Sequence, residues 1–133
     1  MRFETLRAVL AGIALSLAVP AFVGGAELLR PMIVGWERYF KITWSVAERK
    51  GRPVIEGRLA NDYGSAATRI QLLVEGLEQS GEVLWQEVTW LPRTLGPFDS
   101  SYFEVPVRQP APAYRVSVFA WERIESDDFR RRF

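Results

Sequence analysis

From Phe40 the chain alternates apolar and polar residues. Phe40, Ile42, Trp44 and Val46 are separated by Lys41, Thr43 and Ser45. A period of two predicts an antiparallel strand with one buried face. "RKGRP" then turns the chain into Val54–Asn61, where Ile55, Gly57 and Leu59 face one way and Glu56 and Arg58 the other. A glycine in mid-strand marks a bulge or a close approach by a large neighbour such as Trp44.

Four more runs follow. Thr68–Glu78 places Ile70, Leu72 and Val74 on one face and Gln71, Leu73, Glu75 and Leu77 on the other. "QSG" leads into Glu82–Leu91, which carries a tryptophan on each face, Trp85 and Trp90, so the pattern does not say which face points inward. Ser101–Val107 contains Pro106, which cannot donate to a ladder and predicts an edge strand. In Tyr114–Trp121, regular alternation sets Val116 and Val118 apart from Phe119 and Trp121. Six short runs with turns between them, and no gap long enough for a crossover helix, predict an all-β fold. We expect an immunoglobulin-like antiparallel β-sandwich of about six to seven strands over residues 40–124. Residues 27–39, interrupted by Pro31 and Gly35, read as a linker with at most one helical turn. The charged tail 125–133 lacks a sheet pattern.

The chain opens differently. Arg2 and Arg7 precede Ala8–Ala26, which holds no charge and ends in small residues. This is the layout of a secretory signal peptide. Cleavage after Ala26 takes 26 residues from 133 and leaves 107. The alternative is an uncleaved anchor helix, because 19 uncharged residues approach the roughly 20 that span a bilayer. The expected location is periplasmic or secreted, or membrane-anchored facing the periplasm if the leader stays.

There is no cysteine and no histidine. Thiol chemistry, histidine general bases and the commonest metal ligand are therefore excluded. Without residues 1–26, which hold two arginines and one glutamate, 15 basic and 15 acidic residues remain. A net charge of zero gives no long-range attraction to nucleic acid. No cofactor is expected.

"NDYG", at residues 61–64, reads as a corner. Asn61 and Asp62 are placed to bond backbone amides of the turn that follows, and Gly64 to take a positive φ; Gly81 is a residue of the "QSG" turn. The competing reading makes Asn61, Asp62 and Glu56 oxygen ligands for calcium, although such sites gather six to eight oxygens.

"VIEGRLANDYGSAATRIQLLVEGLEQSGEVL", with "FEVPV" and "YRVSVFAW" after it, resembles the bacterial FxLYD-type domains, which are small exported immunoglobulin-like sandwiches. Gly57 and Asn61 match the first part of that pattern. "EQSGEV" matches the second, with Glu78 where the family often has Asp and Leu77 where it has Tyr. The resemblance implies an accessory or interaction role in the envelope and no enzyme activity.

The residues themselves point the same way. Glu56, Glu75, Glu87 and Glu104 are scattered over different strands, and no nucleophile elbow or phosphate loop is present, so a hydrolase is the least favoured reading. The acidic "ESDD" is followed by "RRR", which compensates it. The remaining candidate is a surface for another envelope protein or a glycan, anchored by Trp85, Trp90 or Trp121. At least one of the first two lies outside the main core if their strand is regular. Cover by residues 27–39 or by the loop 92–99 would remove such a surface.

Overall fold

A computed structural model describes residues 27–124. The expected signal or anchor helix and the charged tail lie outside the described residues. Six strands follow a short 3-10 turn at Trp36–Arg38: β1 (Phe40–Arg49), β2 (Arg52–Asn61), β3 (Ala66–Leu77), β4 (Val83–Trp90), β5 (Ser100–Pro106) and β6 (Ala113–Ile124). They form two antiparallel sheets, β1-β2-β5 (sheet 1) and β4-β3-β6 (sheet 2). The described residues are all-β apart from that 3-10 turn, and among them no helix is long and apolar enough to cross a membrane.

The inner faces of both sheets supply the core. Phe40, Ile55, Leu59, Phe103 and Val105 come from sheet 1, and Ile70, Leu72, Val74, Trp85, Val116 and Val118 from sheet 2. The period-two reading of β1 and β2 is met, and Pro106 sits on an edge strand as expected. Gly57 is a close-approach position. A Cβ there would stand 2.8 Å from the Cβ of Trp44 and 2.9 Å from Cζ of Phe103. The β1–β2 hairpin turns through Lys50 and Gly51, both at positive φ, as a two-residue primed turn requires.

Two bulges set the outer face of sheet 2. Between Thr68 and Gln71 the register slips, so Arg69 and Ile70 together oppose Trp121. Arg69 takes φ 53°. Between Gln71 and Leu72, Phe119 is left as the unpaired residue of β6. The second bulge corrects the expected alternation. It puts Trp121 on the side of Val116 and Val118, where its ring lies 4.9 Å from that of Phe40.

Residues 27–38 are a strap rather than a free linker. Leu29 bonds Gln86 on β4, and the Met32 N–H donates to the Phe119 carbonyl on β6 at 2.8 Å. The strap therefore crosses the outer face of sheet 2 before the chain enters β1. Under it lie Leu73, Glu75, Gln86 and Ser117, all buried. That is why β3, half polar by pattern, is buried on both faces.

Candidate functional site

The three tryptophans expected as anchors separate. No bulge falls between residues 85 and 90, so they face opposite sides of β4. Trp85 is core, 4% exposed, with its indole N–H donating to the Gln109 carbonyl at 2.9 Å. Gly76 lies directly beneath the ring, and any Cβ there would collide with Nε1 and Cε2 of Trp85. Trp121 is packed against Phe40 and Tyr39. Trp85 is buried and Trp121 half-buried, so neither is as open as Trp90. Trp90 is 53% exposed on the outer face of sheet 2.

Trp90 is the first member of a row that crosses the sheet. The Arg69 guanidinium lies 5.4 Å from its ring centroid, within cation–π range. Arg69 Nε in turn is 3.1 Å from Glu122 on β6. The bulge at Arg69 makes this row possible, because the extra residue re-aims its side chain outward. The sequence carries no sign of that bulge.

A second row, two positions along β3 from Leu73, is polar, with Glu75 and Gln86 buried and Arg115 exposed. Glu75 is in register with Gln86 and Arg115. Its Oε1 accepts from Arg115 Nε at 2.7 Å and its Oε2 from Gln86 Nε2 at 2.9 Å. The hydrogen bond to Glu75 holds the Arg115 guanidinium above its ordinary range. Between strap and sheet is a groove of about 430 Å³, walled by Leu28, Pro31, Trp36, Leu73, Glu75 and Arg115 among others.

The outer face of sheet 1 is mostly polar where it is exposed. Glu56 and Glu104 stand opposite each other on β2 and β5. The Tyr102 hydroxyl lies 2.8 Å from Glu104 Oε1 and 3.1 Å from Glu56 Oε1, and Arg49 pairs with Glu56. The hydrogen bond to Glu104 raises the Tyr102 phenol above its ordinary value. A shallow depression of about 310 Å³ lies beside this cluster, bordered by Thr43, Ser45, Arg58 and Tyr102.

At the corner, Asn61 bonds within the fold. Asn61 is fully buried. Its Nδ2 donates to the carbonyls of Ser65 and Gly96, both at 2.9 Å, and its Oδ1 accepts from Arg123 at 3.2 Å. The expected bonds to turn amides are thus replaced by bonds to carbonyls, which tie β2 to the loop 92–99. Asp62 points toward Lys41, 3.9 Å away. Glu56 is five residues back along β2, far from both. Among the described residues no three acidic groups are placed to hold a metal ion. Gly81 turns at φ 94°, whereas Gly64, expected at positive φ, is not in the left-handed region. Arg123 closes this end. Its guanidinium lies 4.6 Å from the ring centroid of Tyr63 and 5.2 Å from that of Tyr39, and burial lowers its pKa.

No protein-family model, no curated protein and no solved structure matches the chain.

Proposed function

We propose that this chain is a non-enzymatic interaction module of the bacterial cell envelope and that its contact surface is the outer face of sheet 2 around Trp90. The observation that carries the reading is the row Trp90–Arg69–Glu122. A half-exposed indole is held under a cation by a bulge at positive φ, and burial of the core does not require that arrangement. Rings fixed in this way bind partners with little further ordering. The uncharged Ala8–Ala26 run supports export, and the lack of histidine and cysteine supports a role without catalysis. The orders β1-β2-β5 and β4-β3-β6 support an immunoglobulin-like sandwich. Gly57 in mid-strand and Asn61 at the end of β2 support the likeness to FxLYD-type domains.

A second reading is favoured by Tyr102. Its exposed ring sits on sheet 1 with its hydroxyl between two carboxylates, the combination of flat ring and polar groups that suits a glycan. Recovery of envelope components on immobilised protein tests both. Trp90→Ala loses them and Tyr102→Ala keeps them if the first reading holds. The reverse result selects the glycan surface, and retention by both variants overturns both.

A further inference from the structure

We propose that the outer face of sheet 2 rests on a lipid bilayer, with the Ala8–Ala26 run inserted in that bilayer and Leu29, Met32 and Val34 forming the seat. The proposal rests on the reading that this face is the contact surface, and it names the bilayer as what the face meets.

Three observations converge. The first is exposure on a fixed segment. Val34 is 97% exposed and Met32 69%. The strap that carries them is not a loose tail. Leu29 is bonded to Gln86, and Met32 to Phe119. Apolar side chains held outward on an ordered segment mark a contact surface.

The second is distance. Leu29 is three residues beyond Ala26, so the pinned strap begins within about 10 Å of the end of the uncharged run. The uncharged run is 19 residues, near the roughly 20 that cross a bilayer. A run held in the bilayer therefore leaves the strap no room to stand away from the surface. Arg30 and Arg38, both exposed, flank the seat with long stems that can lift their charges to the phosphate level. Trp90 lies on the same face, and tryptophan favours the membrane–water interface.

The third is asymmetry. The opposite face, on sheet 1, shows Lys41, Thr43, Ser45, Arg58, Tyr102 and Glu104, and its one large aliphatic side chain, Val54, is buried. The exposed aliphatic side chains Leu29, Met32 and Val34 therefore lie on the strap, next to the uncharged run, amid the charged groups Arg30, Arg69 and Glu122.

The absence of cysteine makes the test clean. Val34→Cys and Ser45→Cys each give the full chain one labelling site, and both positions are exposed, so neither change disturbs packing. The two proteins are labelled with an environment-sensitive dye and reconstituted in vesicles of phosphatidylethanolamine and phosphatidylglycerol that carry nitroxide-labelled lipid. The label at Val34 is expected to shift to the blue and to lose most of its emission, while the label at Ser45 keeps its emission. Equal quenching at both sites, or none at Val34, overturns the seat. So does recovery from cells of a chain that begins at Glu27. If Val34 stays unquenched while Trp90→Ala still loses envelope components, the contact surface stands and the bilayer is the wrong partner. If Val34 is quenched while Trp90→Ala loses nothing, the seat stands and the Trp90 reading falls.

Discussion

Gln86 meets the backbone of Leu29 as a neighbouring strand would. Its Nε2 donates to the Leu29 carbonyl at 2.9 Å, and its Oε1 accepts from the Leu29 N–H at 3.0 Å. The same amide nitrogen donates to Glu75, which is buried and paired with Arg115. One side chain thus couples the strap to the polar centre of sheet 2.

Removing that side chain should release the strap. Gln86→Ala leaves two backbone groups of Leu29 and one carboxylate oxygen of Glu75 without this partner. The expected loss is about 1–3 kcal/mol, together with faster amide exchange at Leu29 and Met32. Exchange mass spectrometry of the strap checks it. Unchanged exchange there would mean that the apolar contacts of Leu28 and Trp36 hold the strap without Gln86.

Gly76 should tolerate no side chain. A methyl group there meets the Trp85 indole, so Gly76→Ala is expected to destabilise by about 1–3 kcal/mol through overpacking. A second change, Trp85→Leu, makes room for the methyl group. In urea unfolding, the double variant should lose less than the two single losses added together. Simple additivity would mean that the ring does not sit over Gly76.

Asn61 should matter for stability and not for calcium. Asn61→Ala removes donors from the Ser65 and Gly96 carbonyls and an acceptor from Arg123. The expected loss is about 2–3 kcal/mol. Calcium should leave the Tm of the wild type unchanged. A calcium-dependent rise that disappears in Asn61→Ala or Asp62→Ala would contradict the assignment of this corner.

Tyr102 should titrate late. Its hydrogen bond to Glu104 favours the protonated phenol and raises its pKa. The folded state therefore holds this proton longer than the unfolded state does. The stabilisation is fully present below the ordinary tyrosine pKa of about 10, and it fades as pH climbs through the raised value. Ultraviolet titration should show one of the four tyrosines ionising later in wild type than in Glu104→Ala. Identical curves would remove the hydrogen bond from the account.

The sequence showed what repeats with a fixed period or depends on one residue's geometry. Phe40, Ile42 and Trp44 marked the inner face of β1, Gly57 a close approach, and Pro106 an edge strand. The odd spacing of Trp85 and Trp90 correctly put them on opposite faces. Trp121 was misplaced because one unpaired residue, Phe119, shifts every side chain after it to the other face. Residues 27–39 read as a linker that could cover a sheet face, but the Gln86 side chain that holds them is 57 residues from Leu29, and no local spacing names it. Asn61 was recognised as a corner, but its partners Gly96 and Arg123 are 35 and 62 residues away, and no local spacing names them.

Oxidative footprinting of the native aromatic and methionine side chains tests the contact surface most directly. Trp90, Met32, Tyr102 and Phe98 are all exposed in the isolated chain. In intact envelopes, compared with detergent-solubilised protein, the account predicts protection of Trp90 and Met32, on the outer face of sheet 2, and unchanged oxidation of Tyr102 and Phe98. Oxidation of Trp90 and Met32 in the envelope at the rate seen in detergent would contradict it.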